Sequence, residues 1–181
     1  AAFERVSTNH YAELMLVCGY SGVGKSALVR EVYKPITQKR GYFISGKFDQ
    51  YQHNIPYFAI VSGFSSLIQQ LLSEPEEQLK KWRAKLLNAL GKNGQLIIDF
   101  IPELELVIGK QPELPELTTA ESQNRFNLVF EQFVQVFAQP EHPLVLFLDD
   151  LQWADIASLK LMNLLMSTSL KKSLLFFNLH S

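Results

Sequence analysis

Glu13-Leu14-Met15-Leu16-Val17-Cys18-Gly19-Tyr20-Ser21-Gly22-Val23-Gly24-Lys25-Ser26 is the stretch on which the fold turns. Glu13 to Cys18 is apolar at consecutive positions from Leu14 onward, the pattern of a strand buried on both faces. Gly19 to Gly24 break that run. From Lys25 the apolar residues fall at Leu28, Val29, Val32, Tyr33 and Ile36, the spacing of a helix, and Pro35 predicts its stop. Strand, glycine-rich turn and helix therefore follow one another directly. The turn matches G-x-x-x-x-G-K-[ST] at every specified position, and the chemistry explains each one. Glycines let backbone N–H groups converge on phosphate oxygens, and the helix start adds its positive end. Lys25 then reaches the β- and γ-phosphates, and the Ser26 hydroxyl ligates Mg²⁺. Phosphate-loop contacts are expected from Gly19, Ser21, Gly22, Val23, Gly24, Lys25, Ser26 and Ala27. The bland alternative is an ordinary glycine turn capped by a serine.

A bound magnesium ion needs a second anchor, and hydrolysis needs a group that orients water. Leu144-Val145-Leu146-Phe147-Leu148-Asp149-Asp150 offers both, as an apolar strand that delivers two carboxylates to the edge of a sheet where ligands bind. Asp149 is assigned to the metal shell, with Asp150 orienting or activating the water. Without the glycine loop, the two acids read equally well as the end of a strand and the start of a turn.

Between these stretches the chain reads as strand Tyr42 to Ser45, a polar turn Gly46 to Gln50, and a mainly helical segment over about 52–115. Pro56 opens a helix with Ile60, Phe64, Leu67 and Leu71 on one face. Ser73 with Glu76 makes a capping box ahead of Leu79, Trp82, Leu86 and Leu90, and Gly91 stops that helix. Leu96 to Ile108 is ambiguous between helix and strand. Thr118 with Glu121 makes a second capping box before a long helix carrying Phe126, Val129, Phe130, Phe133 and Phe137. Asp155 caps a helix whose apolar stripe is Ile156, Leu159, Met162 and Leu165, and Leu174 to Phe177 reads as a fourth strand. Three smaller features are assigned structural roles over functional ones: Gly46 to Gln50 a turn rather than a segment acting on the nearby phosphates, Arg125 a surface ion pair rather than a reach to a neighbouring subunit's nucleotide, and Trp153 a wedge beside the acidic turn rather than a base-stacking platform.

GYSGVGKSALV, GYFISGKFDQ, NIPY, AESQNRFNLVF and PLVLFLDDLQWAD together resemble the P-loop ATPase module of very large bacterial signalling proteins. In those proteins it lies between a serine/threonine-kinase-like domain and GAF, PAS or histidine-kinase domains. The module belongs to the AAA-like, STAND-type ATPases. The resemblance implies an α/β P-loop NTPase of the ASCE/AAA-like kind, with a mainly parallel sheet flanked by helices and a helical insert. It also implies Mg²⁺-ATP binding, slow hydrolysis and neighbouring kinase or sensor domains. Walker A would be Gly19 to Ser26, and Walker B Leu144 to Asp149 with Asp150 beside it. The chain departs from the family at both ends: the upstream Gly-Arg-Glu segment is missing, and no sensor arginine follows Leu174 to Ser181. Asn178 is a weak polar substitute. Residues 1–181 are accordingly expected to be a partial domain, truncated before the fifth strand and a lid.

Composition excludes several classes. The chain has 181 residues, 47% of them hydrophobic, with a net charge of -1 and one cysteine. That charge balance lacks the basic footprint of sequence-independent nucleic-acid binding. No apolar run approaches the roughly 18–20 residues that cross a bilayer. Cys18 alone forms no internal disulfide, which predicts a reducing, cytoplasmic setting. Ala1 in place of Met predicts a start inside a longer chain. An unfinished sheet that leaves Leu174 to Phe177 or its neighbour partly uncovered predicts self-association. Two other readings stay open: a non-hydrolysing nucleotide-binding or scaffolding fragment, and a P-loop GTPase or small-molecule kinase, although no N-K-x-D guanine motif is present.

Overall fold

The computed structural model describes residues 36, 38, 40–116 and 118–167, together with the backbone of 13–18 and 174–180. Contacts divide the chain into two compact units, Ala1–Gly63 with Phe137–Ser181, and Phe64–Val136.

The first unit is built on a parallel sheet of four described strands: β1 (Glu13–Cys18), β2 (Tyr42–Lys47), β3 (Leu144–Asp149) and β4 (Leu174–His180). Their order is β1-β4-β3-β2. β4 thus lies between β1 and β3, paired on both sides, so of the two strands expected to be uncovered it is the neighbour, β1, that stands at the edge of the described sheet. β4 also runs to His180, three residues past the predicted end. In β3, Leu144, Val145, Leu146 and Leu148 are all buried, as a strand covered on both faces requires. The steps from β2 to β3 and from β3 to β4 move the same way across the sheet.

β2 includes Gly46 and Lys47, which the sequence reading had placed in a turn. Gly46 is required there: a Cβ at this position would lie 1.9 Å from the Ala59 carbonyl oxygen, at the first turn of helix α1 (Phe58–Leu72). Ahead of β2, Ile36 and Gln38 are helical, so helical conformation persists beyond Pro35. Arg40 is left-handed at φ 51°, and the Gly41 N–H donates to the Ile36 carbonyl at 2.8 Å. That bond is the signature of a Schellman ending with a non-glycine at its left-handed position.

Residues 52–57 are turns rather than helix. The unit is completed by a 3-10 turn, Leu151–Trp153, and by the helix Ile156–Ser167 (below, α6). Asp155 caps that helix as expected, accepting from the Ser158 N–H at 2.8 Å and from its hydroxyl. The Tyr57 N–H also reaches Asp155, at 3.5 Å. The predicted stripe is rotated, however. Ser158, Leu161, Met162 and Leu165 are buried, whereas Ile156 and Leu159 are exposed.

The second unit carries most of α1, then α2 (Glu76–Leu90), α3 (Gly94–Ile98), α4 (Leu104–Ile108) and most of α5 (Thr119–Phe137). Leu96 to Ile108, ambiguous in sequence, is thus two short helices. Phe64 packs on Phe130 and Phe133 at centroid distances of 5.5 and 5.2 Å, and Phe126 sits 4.6 Å from Phe100. Trp82, Leu86 and Leu90 line the buried face of α2. The Ser73–Glu76 capping box does not form. Pro75 occupies the N-cap, and the Ser73 hydroxyl donates to the Gln70 carbonyl at 2.7 Å. The stop at Gly91 holds, with φ 53°. The Thr118–Glu121 box also forms: the Glu121 N–H donates to the Thr118 hydroxyl oxygen at 3.4 Å, and the Thr118 N–H donates to the Glu121 carboxylate at 3.1 Å. The Thr118 hydroxyl hydrogen bond is the main reason the Glu121 carboxyl is held below its ordinary range.

Candidate functional site at the carboxyl edge of the sheet

Parallel strands bring their carboxyl ends to one edge, and the chemistry-bearing residues collect there. Lys47 ends β2 directly opposite Asp149, which ends β3. The ladder continues one residue further, through the Phe48 N–H donating to the Asp149 carbonyl at 3.0 Å. Phe48 is buried, so it pins this end of β2 while Lys47 faces solvent. Asp49 then closes the turn, its carboxylate accepting from the Tyr51 N–H at 2.7 Å.

After Asp149 the chain turns sharply. Asp150 is left-handed, with φ 57° and ψ 46°, and starts the 3-10 turn through a Trp153 N–H bond to its carbonyl at 3.0 Å. A left-handed residue with a Cβ costs about 1–2 kcal/mol, and aspartate tolerates it better than most. The turn aims the Asp150 N–H at its neighbour's carboxylate, donating to Asp149 Oδ1 at 3.0 Å. Asp149 is thereby oriented with acceptor capacity to spare. Both oxygens of Asp150 are engaged as well: Gln152 Nε2 donates to Oδ1 at 3.3 Å, and Lys47 Nζ lies 3.4 Å from Oδ2.

Cys18, the end of β1, emerges at this same edge. It pairs with His180 of β4, and the neighbouring Leu179 pairs with Asp149. One strand thus separates the ends of β1 and β3, a gap of roughly 10 Å at ordinary strand spacing. The expected phosphate-loop residues Gly19 to Ala27, including Lys25 and Ser26, lie outside the described residues. Asp149 and Asp150 are brought together at the edge. Asn178 falls inside β4, opposite Leu148. Trp153 is 42% exposed, so it does not act as a buried wedge. Arg125 is one turn from Glu121 on α5, and its charge helps hold that carboxyl ionised.

Lys47, which the sequence places in a turn near the expected phosphates, ends a strand instead. The available signal was Gly46: a glycine between a strand and a lysine marks close backbone approach, hence a strand that continues. Chemically, a carboxylate held by a backbone N–H at a rigid strand end is a hard oxygen donor suited to a small divalent cation such as Mg²⁺. Among the described residues no group of three His, Cys, Asp or Glu side chains converges to hold a metal. Also among the described residues, no helix is long and apolar enough to cross a membrane.

The family model described as AAA ATPase domain matches residues 1–177. The chain is 43% identical over 157 residues to the "Hybrid signal transduction histidine kinase G" of Dictyostelium discoideum, covering 87% of the chain and 4% of that protein. It is 24% identical over 166 residues to "Histidine protein kinase 1" of Candida albicans, covering 83% of the chain and 7% of that protein. The chain therefore spans only a small part of these relatives. No solved structure is a significant match.

Proposed function

Because this chain belongs to the AAA ATPase domain family, we propose that it is a Mg²⁺-ATP-binding, slowly hydrolysing switch module of a larger signal-transduction protein. The observation that carries this reading is the acidic pair Asp149–Asp150, set at the carboxyl edge of a parallel sheet one strand away from the point where the chain enters its G-x-x-x-x-G-K-S sequence. On this reading, Gly19, Ser21, Gly22, Val23, Gly24 and Ala27 supply backbone N–H groups to the phosphates, and Lys25 neutralises the β- and γ-oxygens. Ser26 and Asp149 would hold Mg²⁺, which would supply positive charge to offset that of the phosphates. Asp150 accepts a hydrogen bond from a water aimed at the γ-phosphorus. As the new P–O bond forms and the bond to ADP breaks, the water's proton passes to solvent by way of this carboxylate or the phosphate itself, giving ADP and inorganic phosphate.

The relatives' names support a place in kinase signalling, with kinase or sensor domains of a longer polypeptide as partners. We also read the helical segment of about 52–115 as an insert within a cytoplasmic AAA-like, STAND-type module that binds neither nucleic acid nor membrane. Two substitutions test the assignment. Lys25→Ala is expected to abolish ATP binding in a titration, and Asp150→Asn to preserve binding while removing phosphate release at saturating ATP. Equal ATP affinity of Lys25→Ala and the unsubstituted chain overturns the binding site. Undiminished phosphate release in Asp150→Asn overturns the role given to that carboxylate.

A further inference from the structure

Charge is segregated within the second unit. Residues 80–92 carry Lys80, Lys81, Arg83, Lys85 and Lys92 and no acid, whereas residues 99–116 carry Asp99, Glu103, Glu105, Glu113 and Glu116 against Lys110 alone. The first stretch covers the exposed side of α2 and the turn after it, and the second runs from the end of α3 through α4 into the segment beyond. The two touch, since Arg83 Nε donates to the Val107 carbonyl at 2.5 Å and so ties α2 to α4. Yet among the described residues no ion pair joins them. Lys80 pairs within its own helix, with Glu76 at 3.0 Å, and Lys85 Nζ lies 4.9 Å from the centre of the Trp82 ring. The side chains of Lys81, Glu105 and Glu113 make no hydrogen bond or ion pair among the described residues. Asp99 takes one bond, from Gln95 Nε2 at 2.8 Å. Asp99, Glu105 and Glu113 line one open hollow of about 540 Å³, with Lys110 as the one cation among its described lining residues.

Charges of one sign grouped in this way repel one another, and each group loses that penalty when it meets the other. Lys81 and Lys85 stand one turn apart on α2, so their ammonium groups project side by side. We propose that this basic face of α2 is an interaction surface for a second copy of the chain, whose hollow of Asp99, Glu105 and Glu113 receives Lys81 and Lys85. The two surfaces differ, so the contact is heterologous, and each copy carries both halves of it. A single exposed ion pair contributes little, so the contact depends on the whole group of charges and is weak and sensitive to salt. Nucleotide takes no part in it, so this inference and the ATP reading fail separately.

The test is sedimentation equilibrium of the nucleotide-free chain. At about 50 mM salt the average mass is expected to exceed that of one chain and to rise with concentration up to about 1 mM, and at about 500 mM salt the association constant is expected to be at least about tenfold smaller. Lys81→Glu with Lys85→Glu makes one charge-reversed chain, and Glu105→Lys with Glu113→Lys makes another; Arg83 is left unchanged because it holds Val107. Each reversed chain alone is expected to sediment as a single chain. An equimolar mixture is expected to associate again, because an acidic α2 then meets a basic hollow. An unsubstituted chain that stays single at about 1 mM and low salt overturns the proposal, as does an association that salt leaves unchanged. A mixture that stays apart, with both chains keeping the far-UV circular dichroism of the unsubstituted protein, overturns the pairing of these surfaces. If a reversed chain loses that signal, Lys81→Gln with Lys85→Gln, or Glu105→Gln with Glu113→Gln, replaces it and is expected to lower the association constant by about tenfold. An unchanged constant overturns the pairing equally.

Discussion

Gly46 and Asp150 each show one position where the backbone leaves little choice of residue. At Gly46 the nearest neighbour of an added Cβ is a carbonyl oxygen of the main chain, which cannot swing aside as a long side chain does. Gly46→Ala is therefore expected to destabilise the protein by about 3 kcal/mol, the upper part of the range for overpacking, measured by urea unfolding. Asp150 is the opposite case. Its left-handed turn is tolerated by asparagine at least as well, and the exposed pair with Lys47 is worth at most about 1 kcal/mol. Asp150→Asn should change unfolding free energy by less than about 1 kcal/mol. A larger loss in urea would mean that any fall in turnover reflects unfolding instead of chemistry. Both carboxylates were legible in sequence because an apolar strand ending in two acids is a compact local signal. The pairing of Lys47 with Asp150 was not, since it depends on which strand lies beside β3, and strand pairing is a long-range property.

The helices divide by how local their signals are. The Thr118–Glu121 box was readable because its two partners are three residues apart and face each other by helix geometry. The Ser73–Glu76 pair has the same spacing, but Pro75 takes the cap and leaves Ser73 bonding backwards to Gln70. Thr118→Ala is expected to cost about 1 kcal/mol near neutral pH. Glu121's carboxyl is held below its ordinary value by Thr118, so its contribution is present above the unfolded value and disappears as pH falls through the lowered folded one. The gap between the urea midpoints of Thr118→Ala and the unsubstituted chain should accordingly narrow toward acid, and a constant gap would count against the carboxylate's part. In α6 the apolar residues Ile156, Leu159, Met162 and Leu165 read as one stripe, but packing buries Leu161 with Met162 and Leu165 and leaves Ile156 and Leu159 exposed. Leu161→Ala is expected to cost about 2–4 kcal/mol, against roughly 0.5 or less for Ile156→Ser. A comparable loss at Ile156 would show that its face is covered in solution.

At the scale of the whole molecule, the parallel α/β architecture followed from four apolar runs separated by helical spacing, whereas the strand order did not. A ligand that binds only the folded chain raises its stability with concentration, by about 2.7 kcal/mol at one hundred times Kd. Mg²⁺-ATP should thus raise the melting temperature, by more than ATP with a chelator. No shift with either would argue against the nucleotide reading.

The interleaved order also has a consequence for how the chain is made. Among the described strands β1 pairs with β4 and no other, so it waits for a partner more than 150 residues further along the chain. Such long-range pairing is slow to close and leaves an early product with one unpaired strand ahead of the glycine-rich sequence. A nascent chain ending at residue 173 would contain every residue of both nucleotide motifs and still lack the strand that sets them side by side. Ribosome-bound intermediates of that length are expected to be protease-sensitive and unable to retain ATP, and the ability should appear only once His180 has cleared the exit tunnel.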